Sequence, residues 1–141
     1  PPKGIRGIAG ATRANNFGRE IDYVSTADEN ICVICQIESV EACKNVKEIA
    51  STEGVDLLFI GPGDLSADMG FIKNRSATEV KDMATQVLKE TKKCNKPCGI
   101  MVSNITEAKQ MLEAGFSVVA VTTDLVLLRN AVDEIGQLAK K

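Results

Sequence analysis

Four times between Ile31 and Leu138, a short apolar, β-branched run gives way to a longer stretch with helical spacing. This alternation constrains the fold more than any other feature, because parallel strands need a long crossover between them, usually a helix. The expected strands are residues 31–37, 55–60, 98–102 and 117–122. After Asp56 the second of these is continuously apolar, as befits a strand buried on both faces. The first helix is expected from Ser39, with Ala42, Cys43, Val46, Ile49 and Ala50 on one face and Gly54 as its break. Ser76-Ala-Thr-Glu79 has the form of a capping box before the stripe Val80, Met83, Ala84, Val87 and Leu88. Asn104 caps a third helix with Ala108, Met111 and Leu112 inward and Gly115 as its stop. Asp124 caps a fourth, which runs through Leu128, Ala131, Val132, Ile135 and Leu138. Residues 1–30 read as a loop rich in Gly and Arg plus a short helix near residues 17–28. Residues 31–141 read as four βα units, and with no linker or low-complexity tract the expectation is one domain over residues 1–141.

Two α/β architectures compete. A doubly wound sheet usually carries a glycine-rich phosphate turn after its first strand. Here that turn is Glu38-Ser39-Val40, and neither G-x-G-x-x-G nor G-x-x-x-x-G-K-[ST] occurs in the chain. A (β/α)8 barrel instead places its working residues at the carboxyl ends of several strands and takes about 250 residues. Four units in 141 residues therefore fit half of such a barrel. The chain opens Pro1-Pro2 without a Met, as expected of a start that has been cut or processed away.

Composition narrows the chemistry. With 17 Lys+Arg against 19 Asp+Glu there is no general basic surface to hold a nucleic acid, and 4% aromatics is thin for base stacking. Apolar runs such as Val118–Val121 are far short of the ~20 residues of a membrane span, and no signal-peptide series opens the chain. The absence of His removes the commonest general base and neutral metal ligand. Acid–base or metal chemistry is then left to carboxylates, Lys, Cys, Tyr or bound water. Cys32-Val-Ile-Cys35 and Cys94–Cys98 raise zinc and redox readings. Residues three apart in a strand point to opposite faces, however, and Cys32–Cys35 has no helix N-terminus to lower a thiol pKa. Buried, reduced cysteines and a cytoplasmic setting are the expectation.

Gln36 and Glu38 stand two apart at the end of the first strand and share a face, with Ile34 below them. A polar pair at the mouth of an apolar strand is costly to bury unless something binds it. Asp64, in Gly61-Pro62-Gly63-Asp64, lies just past the end of the neighbouring strand. Two carboxylates with room for water suit a hard cation such as Mg2+ or Mn2+. The glycines leave backbone N–H groups around Asp64 open to an anion, and Leu65-Ser66-Ala67-Asp68 has the look of a helical first turn. By spacing alone, Glu38 and Asp64 serve equally well as caps of the helices that follow them.

At Gln36-Ile37-Glu38-Ser39 and Gly61-Pro62-Gly63-Asp64-Leu65-Ser66-Ala67-Asp68-Met69-Gly70 the chain resembles the HpcH/HpaI aldolases, metal-dependent pyruvate aldolases whose family includes macrophomate synthase-like enzymes. The likeness extends through Pro1-Pro2-Lys3-Gly4-Ile5-Arg6-Gly7, Thr12-Arg13-Ala14, residues 45–50, residues 96–100 and Thr123-Asp124. It implies the C-terminal half of a (β/α)8 barrel with Glu38 and Asp64 as ligands of a divalent ion, Mg2+ or Mn2+. It also implies that Gln36 and the amides of Gly63 and Asp64 hold the carboxylate and oxo group of a pyruvate unit. Where Gly63 stands, family members more often have Ser or Ala, a change that an amide contact survives. The implied reaction is cleavage of a 4-hydroxy-2-oxo acid to pyruvate and an aldehyde, with the ion stabilising the enolate left when C3–C4 breaks. Oxaloacetate decarboxylation would produce the same enolate.

The catalytic His and the enolate-stabilising Arg of the family match no residue here. Arg6, Arg13 and Arg19 replace the latter only in charge, and Arg13 matches a family Arg read as structural. Lys96 precedes its strand, the wrong end for a Schiff-base aldolase. A half-barrel leaves two edges unpaired, so either the other half of the barrel or a second copy is the expected partner. The resemblance implies a homo-oligomer, the hexamer of the family, with Leu125 to Leu138 packing on a neighbour. The alternative is a non-catalytic half-barrel that keeps the site and works as an assembly or binding unit. A phosphate site on residues 61–70 is a weaker reading, because that loop holds no Lys or Arg before Lys73.

Overall fold

Strands joined by helices pair with their chain neighbours when each crossover is short, and this chain does so three times. In the computed structural model, which describes residues 4–72 and 74–138, β1 (Ile34–Ile37), β2 (Leu57–Ile60), β3 (Cys98–Val102) and β4 (Val118–Val121) form one parallel sheet in the order β1-β2-β3-β4. Pro1, Pro2 and Lys3 of the family-like opening, and Lys73, lie outside the described residues. The third strand has the expected bounds, whereas the first starts three residues later than expected. The chain divides into two units, Pro1–Cys32 and Val33–Lys141.

In the first unit the expected single helix is two pieces, a 3-10 segment Arg13–Gly18 and α1 (Tyr23–Asn30). Asn16 and Phe17 hold φ of 51° and 58°, so a right-handed helix cannot run through them. Buried Asn15 organises this bend: its Oδ1 accepts the N–H of Thr12 at 2.8 Å and of Gly18 at 3.0 Å, and its Nδ2 donates to Gly10 O at 2.7 Å.

In the second unit, α2 (Val40–Lys44) and α3 (Val46–Ser51) replace the one helix expected from Ser39, with Asn45 at φ −97°, ψ 12° between them. Ser39 caps α2 as expected, its Oγ accepting the Ala42 N–H at 3.1 Å. There follow α4 (Pro62–Asp68), α5 (Thr78–Lys93), α6 (Ile105–Ala114) and α7 (Asp124–Leu138). The box at Ser76 does not form. Ala77 donates its N–H to Asn74 O, which closes a local turn, and α5 starts after it without a side-chain cap. Asn104 caps α6 as expected: its Oδ1 accepts the Glu107 N–H, and Glu107 Oε2 accepts the Ser103 N–H one residue before the cap, both at 2.9 Å. Gly115 then ends α6 at φ 95°. At α7 the cap falls to Thr123, whose Oγ1 accepts the Val126 N–H at 3.3 Å, while Asp124 is already the first helical residue.

Alternation along the strands gives the sheet two unlike faces. Ile37, Leu58, Ile60, Cys98 and Ile100 pack against Val46, Ala50, Leu65, Ala84, Val87 and Leu88 from the helices, and this is the core. On the other face Gln36, Phe59, Gly99 and Val118 form one row in register, and Ile34 and Met101 are 52% and 38% exposed. Leu112, expected inward, is exposed, since α6 meets the sheet through Ala108 and Met111. No residue of α7 is buried. All five cysteines are free, Cys43 and Cys98 buried and Cys35 and Cys94 half-buried. Cys32, expected to be buried, is exposed, because β1 begins only after it. Among the described residues no helix is long and apolar enough to cross a membrane.

Candidate metal and oxo-acid site

The site is built where β1 and β2 end. Ile37 points into the core, so its neighbours Gln36 and Glu38 fall on the opposite side, and Gln36 Nε2 donates to Glu38 Oε2 at 3.2 Å. The Gly61 N–H donates to Ile37 O at 3.2 Å, which carries the β1–β2 ladder past the last residue of β2. This brings the Gly61 backbone under the pair. A Cβ on Gly61 would lie 3.0 Å from Glu38 Oε2, 3.3 Å from Glu38 Cβ and 3.7 Å from Gln36 Nε2. The glycine is therefore needed for close approach, and the Glu38 carboxylate rests against the turn that opens α4.

Pro62 occupies the first turn of α4, where its missing N–H costs nothing. Gly63 and Asp64 follow in the same turn, whose amides lack acceptors within the helix. The first bond of α4 is donated by Leu65 to Gly61 O at 3.0 Å, and the fully buried Leu65 side chain pins the helix to the core. Asp64 is exposed, and a Cβ on Gly63 would meet nothing within 4 Å, so a Ser or Ala would fit there. Ser66 Oγ donates to Gly63 O at 2.7 Å, which fixes the turn from below.

The structure thus brings Gln36, Glu38 and the Gly61 backbone into contact and sets Gly63 and Asp64 on the adjoining first turn of α4. As a donor set, Glu38 and Asp64 offer hard oxygens open to solvent and, among the described residues, have no basic partner in an ion pair. No three His, Cys, Asp or Glu side chains among the described residues cluster to hold a metal by themselves. Two carboxylates fit a Mg2+- or Mn2+-like ion that keeps its other positions for water or substrate oxygens.

Three neighbours had no role in the sequence. Phe59 is in register with Gln36, and its ring takes the space beside Gly99, where a Cβ would sit 2.6 Å from Phe59 Cδ2. Asp68, at the far end of α4, accepts the Val40 N–H at 2.7 Å. Arg75, from the loop before α5, donates through Nη2 to Ser103 Oγ just beyond β3. Phe59 was legible only as one member of an apolar run, and the other two contacts each join residues 28 positions apart. Lys96 lies at the opposite end of the sheet, its Nζ donating to Val55 O ahead of β2. An open groove of about 560 Å³ lies among Ser103, Thr106, Thr122, Leu127 and Asn130, and none of the candidate residues lines it.

Comparison with known proteins agrees with this architecture. A crystal structure of a HpcH/HpaI aldolase/citrate lyase family protein from Burkholderia cenocepacia J2315 superposes with a TM-score of 0.90 at 36% identity, over 99% of this chain and 55% of that one. Macrophomate synthase superposes with a TM-score of 0.68 at 25% identity, over 95% of this chain and 47% of the other. The 5-keto-4-deoxy-D-glucarate aldolase of Citrobacter koseri is 41% identical over all 141 residues, which make up 55% of its length. The chain thus spans about half the length of these relatives, and its four βα units are half of a (β/α)8 barrel. The family model for HpcH/HpaI aldolase/citrate lyase matches residues 1–131, and the chain belongs to that family.

Proposed function

We propose that this chain carries the metal- and oxo-acid-binding half of a carbon–carbon lyase that cleaves a 4-hydroxy-2-oxo acid to pyruvate and an aldehyde. One observation supports the reading above the others: the Glu38 carboxylate, hydrogen-bonded by Gln36, lies against Gly61 at the start of the helix that bears Asp64. The name of the Citrobacter relative makes a keto-deoxy sugar acid a natural substrate class, with pyruvate or oxaloacetate as smaller ligands.

Glu38 and Asp64 would hold the cation, Mg2+ or Mn2+. When bound, such an ion supplies Lewis acidity to a 2-oxo carboxylate. Gln36 has an amide N–H beyond the one given to Glu38, and this second donor suits a substrate oxygen. The amides of Gly63 and Asp64 suit the substrate carboxylate, and they are fixed in place by Ser66 and Leu65. Phe59, beside Gln36 on the open face, gives the three-carbon unit an apolar flank. These groups bind and orient, and no residue of this chain is assigned the proton transfer at the C4 hydroxyl. The open face of the sheet would be covered by the other half of the barrel or by another copy within a homo-oligomer. The free thiols suit a cytoplasmic setting.

Mn2+ titration by electron paramagnetic resonance tests the site. Glu38→Ala is expected to weaken binding at least about tenfold, since one of two protein ligands is lost. Equal affinity in parent and variant would end the reading. The absence of His from the sequence favours a second reading, a binding or assembly unit that keeps the site without turnover. Pyruvate release from a 4-hydroxy-2-oxo acid, measured on the chain itself, separates the two.

A further inference from the structure

The two segments that carry the candidate ligands come from different βα units. Glu38 lies in the turn between β1 and α2, and Asp64 on the first turn of α4. Besides the ladder bond from Gly61 to Ile37, a side chain joins them: Asp68 Oδ2 accepts the N–H of Val40 at 2.7 Å. Asp68 follows Asp64 by four residues and so lies on the same side of α4. Val40 follows Glu38 by two. One carboxylate therefore clamps the Glu38 turn onto the helix of Asp64.

Helix capping alone does not account for the contact. Val40 is the first residue of α2, and its N–H is one of the donors that a helix start leaves unpaired. Ser39 already caps α2 locally by taking the Ala42 N–H. What Asp68 adds is a charge-assisted bond across 28 residues, from one ligand-bearing segment to the other. A two-ligand site is sensitive to such a bond, because affinity depends on both carboxylates being held in one arrangement before the ion arrives.

We propose that Asp68 is a positioning residue that fixes the spacing of Glu38 and Asp64 through its bond to Val40. The inference rests on reading Glu38 and Asp64 as cation ligands. The test is Mn2+ affinity, by paramagnetic resonance, of the chain and of four variants, each with a thermal melt. Asp68→Ala is expected to weaken Mn2+ about tenfold. Asp68→Asn, which keeps an acceptor for the Val40 N–H, should recover binding to within about threefold of the parent. Ser39→Ala removes the local cap alone and should lower the melting temperature while leaving Mn2+ affinity within about twofold. Three results would overturn the inference: Asp68→Ala binding like the parent, Ser39→Ala falling as far as Asp68→Ala, or Asp68→Asn falling as far as Asp68→Ala, which would mean that the charge acts on the ion directly. In all three, a loss of binding in Glu38→Ala leaves the ligand reading intact, whereas parental binding in Glu38→Ala removes that reading together with the inference.

Discussion

The two faces of the sheet use alternate residues of the same four strands, yet they meet different surroundings. Leu58, Ile60, Cys98 and Ile100 are enclosed by α3, α4 and α5 and are almost wholly out of water. Their strand neighbours Ile34, Met101 and Val118 are as apolar but remain solvent-accessible. The first face is complete within this chain. The second has the composition of an interior without the cover, and the candidate site sits on its rim, at the carboxyl ends of β1 and β2. The packed core and the candidate site thereby lie on opposite sides of one sheet, which allows them to be perturbed separately.

The strongest separation is expected from truncations on either side. Leu58→Ala should cost about 2–5 kcal/mol, because a fully buried side chain leaves a cavity. Met101→Ala on the open face should stay within about 0.5 kcal/mol. Urea melts of the two variants read the difference, and equal losses would mean that the open face is covered in solution.

A second effect sharpens the description of the closed face. Burial, the largest influence, raises the Cys98 thiol to about 11 from 9.0, against smaller lowering effects from Thr91 and Lys92. The folded state therefore binds this proton more tightly than the unfolded state. The associated stability is fully present below pH 9 and falls as pH rises towards 11, by up to roughly 2–3 kcal/mol. Denaturant melts across that range should show the slope in the parent and a shallower one in Cys98→Ala, since burial also raises the Cys43 thiol.

Smaller still is the contrast between two look-alike helix starts. Asn104→Ala should cost about 1 kcal/mol, since its side chain caps α6, whereas Ser76→Ala should cost almost nothing. Thermal melts suffice to rank them.

Those two starts also show how far the sequence could be read. Ser76-Ala-Thr-Glu79 and Asn104-Ile-Thr-Glu107 satisfy one pattern, but a competing turn from Asn74 to Ala77 intervenes at the first. The strands β2, β3 and β4 were legible because each is a dense apolar run. The start of β1 was not, because Ile31 and Val33 continue its pattern while lying outside it, exposed. The pairing of Gln36 with Glu38 followed from strand periodicity and is seen as a hydrogen bond. Gly61 was visible as a loop glycine, but its role as the surface against which Glu38 lies depends on the ladder. The Asp68–Val40 and Arg75–Ser103 contacts join residues far apart in the chain and leave no local pattern to read.

The spatial order of the strands is the order of the chain, β1-β2-β3-β4. Each new strand has one neighbour already made, and each pairing closes a loop no longer than a single crossover. No pairing among these four strands spans another strand, which keeps the sequence separation of each contact low for a parallel sheet. The clamp from α4 to Val40 lies wholly within the first two βα units of the sheet, so its formation requires no contact with a later strand.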